Sequence, residues 1–133
     1  MTRKENVVLD RIHIAVEAAQ EKQAGRLELL DLRGVSGITD YFLICDGKSQ
    51  RQVQAIVEQI DQRLRAVKAR PNHIEGDRNA EWVLMDYLDF VIHVFTRDRR
   101  DFYGLEKLWS DAPRLDLVPS GNTDGTASRR SGP

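Results

Sequence analysis

At 133 residues, 41% of them hydrophobic, the chain has material for one domain, and its 20 basic against 21 acidic residues leave a net charge of -1. That balance excludes a protein held mainly on phosphates and points to little direct nucleic-acid contact, while no apolar run approaches the ~20 residues of a membrane span. The single cysteine, Cys45, excludes an intramolecular disulfide, and with no signal-like run after Met1 the expected compartment is the reducing cytoplasm, with no membrane partner.

Val8, Leu9, Ile12, Ala15, Val16 and Ala19 recur at helical spacing and predict an amphipathic helix over 6–23, opened by Thr2-x-x-Glu5 or by Asn6 and stopped at Gly25. Residues 27–32 read as a strand and 33–37 as a connection. Tyr41 to Cys45 reads as a second strand, buried on both faces and antiparallel to the first. Ser49-x-x-Gln52 has the form of a capping box, and Val53, Ile56, Val57, Ile60, Leu64 and Val67 then hold one helical face until Pro71 forbids its continuation. A short strand at 73–75 and a loop at 76–80 follow, then strands at 82–87 and 90–95 joined around Leu88-Asp89. A last helix, starting near Thr96 or Asp98, is expected to bury Phe102, Leu105, Leu108 and Trp109. Residues 1–117 form the domain. From 118 to 133 there is almost nothing to bury, and a disordered tail is expected.

Gly47-Lys48-Ser49 stands between a strand and a helix, where a phosphate loop would end, but such a loop needs a glycine five residues before its Gly-Lys pair and the chain has Phe42 there. Ser49 therefore reads as a helix cap. Strand carboxylates holding magnesium beside a Gly-x-Ser would make a nucleotidyltransferase, an enzyme acting on a small substrate or RNA, and this stands as the alternative function. Its candidates, Asp86 and Asp89, straddle a turn and read more simply as a hairpin tip. His13, His73 and His93 lack ligand spacing, so neither a metal nor a cofactor is expected; His93 reads as a packed strand histidine and Cys45 as an inert core thiol.

The informative asymmetry is electrostatic. From His73 to Phe90 there are five carboxylates, Glu75, Asp77, Glu81, Asp86 and Asp89, against one basic residue, Arg78, in a segment that also carries Trp82, Met85 and Tyr87. Aromatic anchors ringed by acid suit docking to a basic protein. The competing reading makes Trp82 and Met85 core, and the continuous apolar run from Trp82 to Met85 leaves both open.

Seven motifs in order resemble the ribosomal silencing factor family, also called the RsfS or Iojap family, over residues 6–112. They are Leu30-Asp31-Leu32, Ser36-x-x-Thr39-Asp40-Tyr41-Phe42-x-Ile44-Cys45, Gly47-x-Ser49-x-Arg51-Gln52-Val53, Glu75-Gly76, Glu81-Trp82-x-Leu84-x-Asp86-Tyr87, His93-Val94-Phe95 and Phe102-Tyr103-x-Leu105-Glu106-x-Leu108-Trp109. Two positions depart: Leu88 stands where the family usually has glycine, and Asp46 where it usually has a small hydroxyl residue, adding charge at the mouth of the phosphate-like loop. The resemblance implies an α/β domain with a mixed sheet of about five strands flanked by helices, related in fold to nucleotidyltransferases without their catalytic carboxylates. It implies a non-enzymatic repressor that binds ribosomal protein uL-fourteen on the large subunit, sterically blocks the small subunit when nutrients are scarce, and forms a homodimer when free. On that reading Trp82 and Tyr87 are the apolar anchors and Glu75, Glu81, Asp86 and Asp89 the acidic contacts.

Overall fold

The computed structural model describes residues 2–35 and 37–117, so the tail expected over 118–133 lies outside the described residues. Helix α1 (Arg3–Glu21) begins earlier than its apolar periodicity suggests because a reciprocal cap extends it. Thr2 Oγ1 accepts from the Glu5 N–H at 3.1 Å, and Glu5 Oε1 accepts from the Thr2 N–H at 2.9 Å. Gln23, in the left-handed region at φ 61°, follows the end of the helix. Gly25, expected as the stop, instead opens strand β1 (Gly25–Asp31), where a Cβ would approach Asp46 Oδ1 to 2.7 Å.

Strand β2 (Tyr41–Gly47) runs antiparallel to β1 with Leu30 opposite Phe42, as expected. Helix α2 (Gln50–Arg65) starts on Ser49, whose Oγ accepts from the Gln52 N–H at 3.1 Å. The capping box does not close on itself, however. Gln52 Oε1 accepts from the Lys48 N–H at 2.6 Å and Nε2 donates to the Lys22 and Gln23 carbonyls, tying the start of α2 to the end of α1.

Strands β3 (His73–Glu75), β4 (Trp82–Asp86) and β5 (Phe90–Thr96) form an antiparallel run, and β5 joins β2 in parallel. A two-residue strand, β6 (Arg114–Leu115), too short for any periodicity to reveal, pairs with β1 and makes the sheet six-stranded in the order β3-β4-β5-β2-β1-β6. The molecule is a single α/β domain with a mixed sheet.

Helices α1 and α2 cover one face of this sheet, where Val83, Met85, Ile92, Val94, Leu43 and Cys45 join Ile12, Val16, Ile56 and Ile60 in the main core. Full burial pushes the Cys45 thiol up to about 12, so it stays protonated and packs as a small hydrophobe. Among the described residues the other face carries only α3 (Arg97–Tyr103) and α4 (Leu105–Leu108), which lie against a smaller cluster of Leu30, Leu32, Ile44 and Phe95. The single last helix expected is thus two, broken at Gly104 in the left-handed conformation at φ 59°. Its expected burial is corrected with it: Leu105 is buried and Trp109 half-buried, but Phe102 and Leu108 are 74% and 75% exposed. Helical spacing counted through Gly104 crosses a residue that rotates the phase. Among the described residues no helix is long and apolar enough to cross a membrane.

Candidate functional site

Alternation along β4 settles what the apolar run left open. Val83 and Met85 point to the helices, while Trp82, Leu84 and Asp86 fall on the face that α3 and α4 only partly cover. Register places Leu84 between His93 on β5 and Glu75 on β3, and Asp86 between Val91 and His73, so Glu75 and His73 share that face. Phe42 on β2 and Trp109 extend it, their rings in edge contact at 5.7 Å. Exposed Tyr103 sits 4.7 Å from the Trp82 ring and carries Phe102 beside it. The result is an aromatic and aliphatic surface whose β3 side bears carboxylates.

Three of the six residues singled out by sequence, Trp82, Glu75 and Asp86, therefore lie on one face. Glu81 stands at its rim, 3.4 Å from Arg99. Asp89 is in the turn after β4, half-exposed and 3.4 Å from Lys4 on α1. Tyr87 is not with them. Five positions beyond Trp82, it falls on the helix-covered face, stacked on Phe90 at 4.9 Å, with its buried hydroxyl lacking a hydrogen-bond partner and pushed up in pKa by that burial. Sequence reasoning missed Leu84, Phe42, Tyr103 and Phe102; the period-2 geometry of a strand groups Leu84 with Trp82 and Asp86, but no polarity pattern in the run says which way that group faces.

Asp86 also has a local task. Its Oδ1 accepts from the Leu88 N–H at 2.8 Å, and the Asp89 N–H closes a three-residue turn on the Tyr87 carbonyl at 2.9 Å. Leu88 at the centre has φ 73°, a conformation glycine adopts freely and leucine does not, while its carbonyl accepts from buried Thr39 Oγ1 at 2.9 Å. The turn geometry is thus kept at the expense of strain. Leu88→Gly is expected to raise stability by up to about 1 kcal/mol, the relief of the left-handed leucine outweighing the added chain entropy. A urea midpoint comparison checks this, and a lower midpoint would show that the 62% exposed leucine packs after all.

Three polar groups of the Gly47 to Ser49 loop are engaged internally. Ser49 Oγ caps α2, the Lys48 N–H is taken by Gln52, and the Val53 N–H goes to the Ser49 carbonyl at 3.0 Å. Asp46 does not charge its mouth, as expected from sequence, but is wholly buried, held by Arg26 Nε at 2.7 Å and Arg100 at 3.2 Å with Arg97 at 3.5 Å. Side-chain alternation turns it under α3. Among the described residues no group of three acidic, histidine or cysteine side chains could hold a metal ion.

The model of the family described as ribosomal silencing factor during starvation matches residues 5–132. The chain is 45% identical to the ribosomal silencing factor RsfS of Bacillus subtilis over 106 residues, covering 80% of this chain and 90% of that protein. Among solved structures, a Bacillus halodurans protein superposes with a TM-score of 0.71 at 39% identity, covering 79% of this chain and 95% of the other. A Chromobacterium violaceum protein gives 0.74 at 28% identity, with 83% and 88% covered.

Proposed function

The chain belongs to the ribosomal silencing factor family, and from that premise we propose that it binds ribosomal protein uL-fourteen on the large subunit and sterically blocks the small subunit. Translation would fall when nutrients are scarce, in the cytoplasm and without catalysis. The observation that carries this reading is the half-covered sheet face, where Trp82, Leu84, Phe42 and Tyr103 form an apolar centre beside Glu75 and Asp86. Such a centre supplies contact energy, and acid at its edge suits the Lys and Arg that ribosomal proteins expose. Trp82 and Glu75 are the proposed contacts, with Asp86, Glu81 and Asp89 as a supporting acidic margin. Tyr87 acts from the far face by holding the turn after β4. Exposed Phe102, beside Tyr103, gives the same surface a role in self-association when the protein is free, so the homodimer and the ribosome compete for it. The relation to nucleotidyltransferases is one of fold alone in this reading.

Gradient sedimentation with purified subunits tests it. The protein is expected to travel with the large subunit and, in excess, to lower the yield of joined ribosomes when small subunits are added. Normal joining at full occupancy of the large subunit would remove the steric mechanism; sedimentation with neither subunit would remove the function.

A further inference from the structure

We infer that His93 is a positioning residue, holding the Trp82 indole through its Nδ1 in the orientation that a partner meets, an inference that rests on the docking reading above. Trp82 Nε1 donates to His93 Nδ1 at 3.0 Å across the β4–β5 pair. The indole is stacked on Phe95 at 4.9 Å and 25° and flanked by Tyr103. Tryptophan is a donor only, so a half-buried indole needs an acceptor beside it.

The imidazole is an unusual choice for that place. His93 is 3% exposed, and burial lowers its pKa to about 3, so the ring is neutral at ordinary pH. With Nδ1 accepting, the proton sits on Nε2, and that nitrogen is buried without a hydrogen-bond partner. Its ring packs edge-on to Phe42 at 4.5 Å and stacked on Phe95 at 6.2 Å. Phenylalanine would make the same contacts and would leave no donor orphaned. What histidine adds is the acceptor for Trp82. Holding the indole in one rotamer before docking reduces the ordering cost at the interface, which raises affinity without a new contact.

Two substitutions separate positioning from packing because they order stability and affinity oppositely. His93→Phe keeps the ring and loses the acceptor; His93→Asn keeps an oxygen acceptor near the δ position and loses ring volume. The Phe variant is expected to melt at or above the parent and the Asn variant below it. Affinity for the large subunit should run the other way, weakened about tenfold in His93→Phe and within about threefold of the parent in His93→Asn. Nuclear magnetic resonance of the free protein gives a readout without ribosomes: the Trp82 indole N–H, assigned with Trp82→Phe, should exchange faster with solvent in His93→Phe than in the parent or in His93→Asn. Affinity that follows melting temperature, with the Phe variant docking like the parent or the Asn variant losing as much, overturns the inference. Should the parent itself fail to bind the subunit, the docking reading falls, and the indole exchange rates alone decide whether His93 holds Trp82; equal rates in all three proteins would show that it does not.

Discussion

Arg100→Ala is expected to destabilise the domain by about 3 to 5 kcal/mol, because it takes the fully buried guanidinium away from the buried Asp46 carboxylate and empties its place under α3. Arg100 is 1% exposed, one of the largest fully buried side chains in the molecule. It donates to the Arg26 carbonyl at 2.6 Å, to Glu106 at 2.7 Å and to Asp46 at 3.2 Å. Truncation strands the Arg26 carbonyl and leaves Asp46 to Arg26 and Arg97 at the edge of the cluster, while opening a void under α3. For a domain of this size the loss corresponds to about 10 to 20 °C in melting temperature. The effect should reach the docking face too, since α3 carries Tyr103 against Trp82. A double-mutant cycle provides the check: Asp46→Ser combined with Arg100→Met should cost much less than the two single changes summed, because it removes both buried charges together. Additive losses in urea titrations would mean that the two side chains are not coupled.

That cluster was invisible in the sequence for a physical reason. Arg100 lies in the run Arg97-Asp98-Arg99-Arg100-Asp101, which has the composition of a solvated helix face, and its burial depends on a carbonyl 74 residues away. Asp46 was likewise read as a charge on a loop because nothing local says that β2 continues past Cys45 under a helix. By contrast α1 and α2 were legible from their caps and their apolar spacing, since helical periodicity and local hydrogen bonds are both written within a few residues. The pairing of β1 with β2 and the hairpin at Leu88 were legible too. The site was half legible. An acidic, aromatic segment could be seen, but the run from Trp82 to Met85 carries no alternation of polarity, so which of its side chains faces the helices depends on α2 packing against the sheet. Once that face is known, the odd separation of Trp82 and Tyr87 sends them to opposite sides.

Trp82→Ala is expected to weaken binding to the large subunit by about 2 kcal/mol or more, roughly 30-fold, as befits an aromatic at the centre of an apolar patch. The same change should cost stability, about 2 kcal/mol, because the half-buried indole covers Phe95 and contacts Tyr103; the full loss of a core aromatic would be larger. Affinity alone therefore cannot separate docking from folding at this position, and a charge reversal on the same face does. Glu75 has a side chain 68% exposed at the end of β3, and the exposed His73 ring lies 3.2 Å from it. Glu75→Lys should leave the melting temperature nearly unchanged yet weaken binding at low salt, with the difference from the parent shrinking as salt screens the new repulsion. Asp89→Lys should act in the same direction but less, because Asp89 lies in the turn beside Lys4 and away from Trp82. Tyr87→Phe should leave binding unchanged, since it removes a buried, unpaired hydroxyl on the helix-covered side. Co-sedimentation of the four variants over a salt series reads all of this at once. If Tyr87→Phe weakens binding as much as Trp82→Ala, or if Glu75→Lys binds like the parent at every salt concentration, the open sheet face is not where the ribosome docks.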